Sequence, residues 1–192
     1  MFEGLGLGLS GIQFNSGGAL IVDHVAIRDF AGAGINFQPT AASRLFVSGS
    51  SVQKSQGGIK IDPNGGSAVA TIEDTLLNEN ATYGVRVDGN SSAVAKNVTA
   101  DGNLNGFYVT DTTGALPVLS VESSVAAHNT GAGVRAGFGG TGLAKLVLSN
   151  TQVFENVNGL QRDANGQIQS YGNNKVFGNT PDGTPSATIP QS

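Results

Sequence analysis

The sequence is short of several residue types, and each shortage removes a class of structure. It contains no cysteine, so disulfide bonds and thiolate metal sites are excluded, while the redox compartment stays open. Charged residues make up only 12% of the 192 residues, too few for a disordered acidic chain or a charged coiled coil. No run of about 18 apolar residues occurs, which excludes a membrane-spanning helix, and we expect no membrane partner.

The charge balance is weakly acidic, with a formal net charge of −4 and a sequence pI near 5.0. No basic face that would hold a nucleic-acid backbone is evident, so we expect no nucleic-acid partner. The opening residues 1–11, MFEGLGLGLSG, have no basic start and no small-residue cleavage site. They therefore do not resemble a secretory signal.

Glycine is abundant, with 29 residues, and part of it is periodic. The repeated unit is a glycine followed by an apolar residue, any residue and a second apolar residue. It recurs every 22 to 27 positions, and the last copies are less regular. The copies begin at Gly11, Gly34, Gly58, Gly84, Gly106, Gly133 and Gly159. Because apolar and polar positions alternate, each copy predicts a short β-strand with one face inward, which we call a marker strand.

Between the marker strands lie further apolar segments, such as ALIVDHVAI at residues 19–27 and AKLVLSNTQV at residues 144–153. Serine, asparagine, aspartate or glycine interrupts each segment near its middle, as expected for turns. Each repeat therefore has two or three short strands and no helical period. The pattern predicts an all-β fold, a single-stranded right-handed parallel β-helix (solenoid) of about seven coils stacked about 4.8 Å apart.

Asparagine also recurs in step with the glycines. The positions are Asn80, Asn103, Asn129, Asn156 and Asn179. Stacked side-chain amides can hydrogen-bond along a solenoid axis, so we expect an asparagine ladder. The alternative is that asparagine is simply common in turns.

The ends of a solenoid need separate treatment because a coil is stable only when it stacks on a neighbour. We expect an N-terminal cap at residues 1–10, the β-helix at residues 11–180 and a C-terminal tail at residues 181–192. Leucines in Leu5–Leu9 are expected to plug the first coil, while the prolines of the tail discourage further strand pairing. The first coil has no such stop, so we expect a homo-oligomer through the N-terminal coil.

The glycine-led repeats, the turn asparagines and the closing segment SYGNNKVFGNTPDGTPSATIP (residues 170–190) resemble the right-handed parallel β-helix proteins of the pectate-lyase-like superfamily. Small uncharacterised bacterial members are the most similar, and the resemblance runs from Gly11 to the C-terminus. It implies the fold but not the chemistry, because that superfamily includes lyases, hydrolases, epimerases, adhesins and binding proteins. It also implies a secreted or cell-surface location.

In the marker strand the second and fourth residues after glycine are expected to face water. The second column contains Gln13, Asn36, Lys60, Arg86, Tyr108, Arg135 and Gln161. The fourth column contains Asn15, Gln38, Asp62, Asp88, Thr110, Gly137 and Asp163. Together they predict a polar ribbon about 30 Å long, which we call the ribbon.

The ribbon suits an extended polysaccharide, especially an acidic one, because arginine and lysine bind carboxylates and tyrosine offers a ring face to a sugar. The predicted ligand-binding residues are Arg135, Tyr108, Arg86, Lys60 and Asn36. Arg135 is the preferred candidate because its own strand has no acidic residue. The alternative is that Lys60 with Asp62, and Arg86 with Asp88, only neutralise each other.

An enzyme is the second hypothesis, in which Lys60, Asp62, Arg86 and Asp88 would serve a polysaccharide lyase or hydrolase acting on an acidic polysaccharide. The acidic column is incomplete, since Asp111 lies one residue past it. His24 falls in the second strand region of the first coil and His128 precedes a turn asparagine, so both are interpreted as turn or surface histidines. Repeats of such even length leave no room for a lid. We therefore predict a non-catalytic carbohydrate-binding or structural surface platform, with no catalytic residue, metal site or cofactor.

Overall fold

The computed structural model describes residues 1–190, which form three parallel β-sheets running along one solenoid. The marker sheet contains β2 (Ile12–Phe14), β5 (Ala33–Phe37), β8 (Gly57–Ile61), β11 (Tyr83–Val87), β14 (Asn105–Val109), β17 (Ala132–Ala136) and β20 (Asn158–Arg162). The second sheet contains β3 (Ala19–Asp23), β6 (Ala42–Ser48), β9 (Ser67–Glu73), β12 (Ser91–Lys96), β15 (Val118–Glu122), β18 (Ala144–Ser149), β21 (Gly166–Ser170) and β23 (Ala187–Thr188). The third sheet contains β1 (Phe2–Glu3), β4 (Ala26–Arg28), β7 (Ser51–Gln53), β10 (Leu76–Asn78), β13 (Thr99–Asp101), β16 (Val125–Ala127), β19 (Gln152–Phe154) and β22 (Lys175–Phe177).

Each turn of the chain passes through the marker, second and third sheets in that order, and every strand pairs with its equivalent one coil away. In the marker sheet, for example, Val85 pairs with Ile59 on one side and with Phe107 on the other. The predicted all-β solenoid of about seven coils is confirmed. Among residues 1–190 no helix has the length and apolar character needed to cross a membrane.

The core is a continuous column of apolar side chains inside the three sheets. Ile59, Val85, Phe107 and Val134 occupy equivalent inward positions and are fully buried. Each such side chain contributes about 1.5–3 kcal/mol by leaving water. Because no coil can bury these side chains by itself, stability depends on stacking.

The marker glycines are required by close contact at the corner between the third and marker sheets. A Cβ atom at Gly58 would lie 2.2 Å from the carbonyl oxygen of Gly84, and one at Gly84 would lie 2.8 Å from that of Gly106. At Gly106 the corresponding distance, to the carbonyl oxygen of Gly133, is 2.6 Å. Real Cβ atoms do not approach a backbone oxygen so closely, and the recurrence of glycine thus follows from the stacking of identical corners.

A chain of side-chain amides lies near the same corner. Asparagines on successive coils are linked by hydrogen bonds. The Nδ2 group of one donates to the Oδ1 atom of the asparagine one coil further on, over 2.8–3.3 Å. The participants are Asn80, Asn103, Asn129, Asn156 and Asn179. The chain of amides ends at Asp182, whose Oδ1 accepts from Asn179 over 2.8 Å. Buried backbone and side-chain groups at the corner are thereby paired.

Both ends add short strands to the solenoid. At the N-terminus β1 pairs with β4, and at the C-terminus β23 pairs with β21. The expectation that leucines plug the first coil is wrong, because Leu5, Leu7 and Leu9 are 76–86% exposed. The division into a body and two caps stays a prediction, and residues 191–192 of the tail lie outside the described residues.

Candidate functional site

The register of the marker sheet places all five predicted ligand-binding residues in one column. Asn36 pairs with Lys60, Lys60 with Arg86, Arg86 with Tyr108, and Tyr108 with Arg135. With its two end members, the column reads Gln13, Asn36, Lys60, Arg86, Tyr108, Arg135 and Gln161. The structure therefore brings these residues together on seven successive rungs. Their role in ligand binding stays a prediction.

Two cations of the ribbon are neutralised within their own marker strand. The Nζ atom of Lys60 lies 2.7 Å from Oδ2 of Asp62. Arg86 donates from Nη2 to Oδ2 of Asp88 over 2.8 Å. These are the ion pairs that the electrostatic alternative predicts, and they reduce the attraction that either cation has for an anionic ligand.

Arg135 is paired as well, although its own strand has no acid. Its Nε atom donates to Oδ2 of Asp163, on the next coil, over 3.0 Å. The guanidinium also lies 3.6 Å from the ring centre of Phe138, a cation–π contact. With its side chain only 14% exposed, Arg135 is not the free cation that its strand suggested.

Tyr108 and Thr110 are covered, contrary to the expectation that they face water. Tyr108 is 8% exposed and Thr110 is fully buried. Both hydroxyl groups donate to the carbonyl oxygen of Phe138, over 2.5 Å and 2.8 Å. The glycine-rich segment 137–143 lies over this part of the ribbon, so the expectation of no covering turn is wrong. The signal was visible as GFGGTG at residues 137–142, a long spacer between two strands.

Asp88 is also buried rather than exposed to water, with its side chain 1% exposed. Besides the Arg86 contact, its Oδ1 atom accepts from the N–H groups of Gly89 and Thr112, over 2.8 Å and 2.9 Å. The turn at residues 110–117 supplies Thr112 and folds over Asp88. An acid so fully paired and covered is poorly placed to act as a base or to bind calcium.

In the part of the chain that the structure describes, no three histidine, cysteine, aspartate or glutamate side chains are grouped to hold a metal ion. Within the same residues, the one ion-pair contact of His24 is with the neighbouring Asp23. Its Nδ1 atom lies 2.7 Å from Oδ1 of that residue. His128 lies between two acids. Its Nδ1 atom is 2.6 Å from Oδ1 of Asp101, and its Nε2 atom is 2.9 Å from Oε2 of Glu155. The hydrogen bond that His128 donates to the carboxylate of Asp101 raises the pKa of His128, burial opposes this rise, and Glu155 adds to it.

Sequence reasoning missed an aromatic stack beside His128 on the third sheet. The rings of Phe154 and Phe177 are stacked with centres 5.4 Å apart, and His128 contacts Phe154 edge-on. The signal is the repeated tetrapeptide pattern VFEN at residues 153–156 and VFGN at residues 176–179. These repeats place the two phenylalanines in register.

The turn beside the ribbon is organised by the buried carboxylate of Asp111. Its burial alone would raise the pKa of this carboxyl, but the N–H groups of Leu116, Ala115, Thr113 and Gly114 donate to it and hold the pKa below its usual range. The donor–acceptor distances are 2.8–3.1 Å. The ionised carboxylate therefore stabilises the folded turn.

We expect Asp111→Asn to lower the free energy of unfolding at pH 7 by about 2 kcal/mol, because an amide cannot replace a carboxylate that accepts several N–H groups. The contribution of Asp111 is present above its unfolded-state pKa of about 3.8 and is lost as the pH falls through the lower folded-state pKa. Urea unfolding from pH 7 to pH 2 should thus show a smaller acid-induced loss for the variant. Exposed Glu73→Gln is the control, and equal acid-induced losses in Asp111→Asn and the unsubstituted protein would refute this role.

Comparisons with known proteins agree with the architecture. A family model described as right handed beta helix region matches residues 10–180. No curated protein and no solved structure matches the chain. The narrower placement among small bacterial members of the pectate-lyase-like superfamily stays a prediction. Since the match covers most of its length, the chain belongs to the right-handed β-helix family.

Proposed function

We propose that the chain is a non-catalytic platform that binds a polysaccharide along the ribbon, and that this polymer is neutral and rich in hydroxyl groups. The observation that carries the proposal is a row of polar side chains at least partly exposed on four successive rungs, Gln13, Asn36, Lys60 and Arg86, in which each cation already holds a carboxylate. Such a row offers polar contacts, first from amides and then from ion pairs, at regular intervals along the solenoid axis. An extended polymer can use those contacts successively.

The paired charges favour a neutral polymer over an acidic one. Lys60, Arg86 and Arg135 each lie within 2.7–3.0 Å of an aspartate oxygen. A uronate carboxylate would have to compete with these aspartates and approach their negative charge. A hydroxyl group can donate to the aspartate while it accepts from the cation, so it can bind without breaking the pair.

The N-terminal rungs of the ribbon offer amides instead of charges. Asn36 donates to Oε1 of Gln13 over 2.7 Å and to Oε1 of Gln38 over 2.9 Å. Gln13 in turn donates to Oδ1 of Asn15 over 2.6 Å. Amides both donate and accept hydrogen bonds, as sugar hydroxyls do, and this end of the ribbon also carries no net charge.

The enzyme hypothesis has less support. A lyase needs a free base near an acidic substrate. Lys60 and Arg86 are held by carboxylates, and Asp88 is covered by its turn. These contacts favour a role in holding the surface together over a role in proton transfer.

Affinity electrophoresis tests the proposal. We expect gels containing soluble neutral glucans, mannans or xylans to retard the protein, and gels containing polygalacturonate or alginate to leave its migration unchanged. Because no net charge is involved, retardation should stay within about twofold between roughly 0.05 M and 0.5 M salt, over which charge interactions are strongly screened. Retardation by the uronate polymers alone, lost at high salt, would overturn the neutral assignment.

Two ribbon substitutions locate the binding surface. Asn36→Ala and Lys60→Gln should each weaken retardation about fivefold to tenfold, the value of one lost hydrogen bond. Gln152→Ala, an exposed polar side chain on the third sheet, is the matched control and should change nothing. Equal retardation of all three variants, or retardation by none of the polymers, would refute the ribbon as a polysaccharide platform.

A further inference from the structure

The outer face of the second sheet carries large apolar side chains that no residue of the described range 1–190 covers. Ile21 is 72% exposed, Phe46 44%, Val69 56% and Val94 39%. They are neighbours, because Ile21 pairs with Phe46 and the strands carrying Val69 and Val94 follow directly. Continuous exposed apolar patches of this kind mark interaction surfaces.

Three parallel columns of outward residues form this face. The leading column contains Ala19, Arg44, Val69, Ser92, Val118 and Lys145. The middle column contains Ile21, Phe46, Thr71, Val94, Ser120 and Val147. The trailing column contains Asp23, Ser48, Glu73, Lys96, Glu122 and Ser149.

The charges on this face are arranged differently from those of the ribbon. The leading column has two cations, Arg44 and Lys145, and the trailing column has three acids and one lysine. Across residues 1–190, Arg44, Lys145, Glu73 and Glu122 take part in no ion pair. Unpaired charges of opposite sign therefore flank a largely apolar middle column.

We propose that this face binds a second copy of the chain, related by a two-fold axis parallel to the solenoid axis. Such a rotation exchanges left and right but keeps the order of the rungs, so the leading column of one copy faces the trailing column of the other. Arg44 then faces the partner's Ser48, with the partner's Asp23 and the partner's Glu73 one rung, about 4.8 Å, to either side. Lys145 likewise lies one rung from the partner's Glu122. The middle column packs against its own copy.

Charge also disfavours one reversed register of the same face. A two-fold axis parallel to the strands and centred on the rung of Val94 would reverse the order of the rungs. Arg44 would then face the partner's Lys145, and Glu73 would face the partner's Glu122. Like charges directly opposite each other destabilise an interface, so the parallel arrangement is favoured over this reversed register.

The size of the face suits a moderate interface. Six rungs span about 29 Å and five strand residues about 17 Å, which corresponds to roughly 500 Å² on each copy. The total surface buried by both copies, about 1,000 Å², lies at the lower end of the range of buried areas for specific interfaces. We therefore expect a reversible dimer with a Kd in the micromolar range.

Sedimentation velocity from about 1 to 200 µM tests the dimer. Concentration-dependent dimerisation is expected, and Phe46→Glu should weaken it at least tenfold. Leu76→Glu is the matched control, because Leu76 is similarly exposed, at 46%, but lies on the third sheet. Circular dichroism of each variant checks that the fold is retained. A monomer at every concentration would overturn the proposal, as would a dimer lost in Leu7→Glu but not in Phe46→Glu, which would place association at the N-terminal coil.

A charge exchange tests the pairing of the columns. Arg44→Glu and Glu73→Arg should each weaken the dimer about tenfold, and the double variant should recover to within about threefold of the original Kd. Recovery is expected only if Arg44 lies opposite the partner's trailing column, close to the partner's Glu73. A double variant weaker than both single variants would overturn this pairing.

Cross-linking tests the orientation, and a chain without cysteine allows single-cysteine probes. Thr71→Cys and Ser120→Cys lie on the middle column, close to the proposed axis, so each should cross-link to its own copy through a short bis-maleimide that spans the about 10 Å between packed sheets. Thr99→Cys on the third sheet should not cross-link. Cross-linking only in a mixture of the Thr71→Cys and Ser120→Cys proteins would show the reversed orientation and overturn the proposal.

Discussion

Replacing Asn129 with alanine is expected to lower the free energy of unfolding by about 4 kcal/mol. Its Oδ1 atom accepts from the backbone N–H of Asn103 over 3.0 Å. Its Nδ2 group donates to the carbonyl oxygen of Ala100 over 3.1 Å and to Oδ1 of Asn156 over 2.8 Å. Alanine leaves these buried groups without partners, and each unpaired group costs about 1–3 kcal/mol. Urea unfolding followed by circular dichroism measures the loss.

Asn90→Ala is the matched control for this substitution. Asn90 is an exposed turn asparagine outside the amide chain, so its loss should change the free energy of unfolding by less than about 0.5 kcal/mol. If both variants lose the same small amount, the amide chain does not stabilise the solenoid. Asparagine would then recur only because turns favour it.

Replacing Gly106 with alanine is expected to cost about 3 kcal/mol. The added Cβ would lie 2.6 Å from the carbonyl oxygen of Gly133 and 3.1 Å from Nδ2 of Asn129. Neither group can move freely, because one belongs to the next marker strand and the other to the amide chain. The coils must therefore separate locally, and overpacking of this kind in a core is destabilising.

The control is Gly18→Ala, at a turn where an added Cβ would meet nothing within 4 Å. This variant should be unchanged or up to about 1 kcal/mol more stable, because alanine reduces the freedom of the unfolded chain. Thermal unfolding of both variants checks the comparison. Similar midpoints for Gly106→Ala and Gly18→Ala would show that close stacking at the corner does not explain the repeated glycine.

The expected positions of the ribbon side chains were partly right, and the errors in their expected exposure have one physical origin. Alternation along a strand correctly placed Lys60 and Arg86 in one outward column. It could not place Asp163 beside Arg135, or Phe138 over Tyr108, because those contacts come from other coils and from a turn. Burial of an outward residue depends on what folds over it, and a strand pattern contains no information on that.

The sequence by itself determined the architecture. A glycine-led strand repeated seven times can bury its apolar residues only by stacking on its copies, so periodicity predicted the parallel solenoid and its register. Only the tertiary structure decided which polar groups stay available. It paired the ribbon cations with carboxylates and covered Asp88, but within residues 1–190 it left Arg44, Lys145, Glu73 and Glu122 of the second sheet without an ion pair. The reason is that stacking follows from a local repeat, whereas the partners of a surface side chain depend on turns of unequal length and on neighbouring coils.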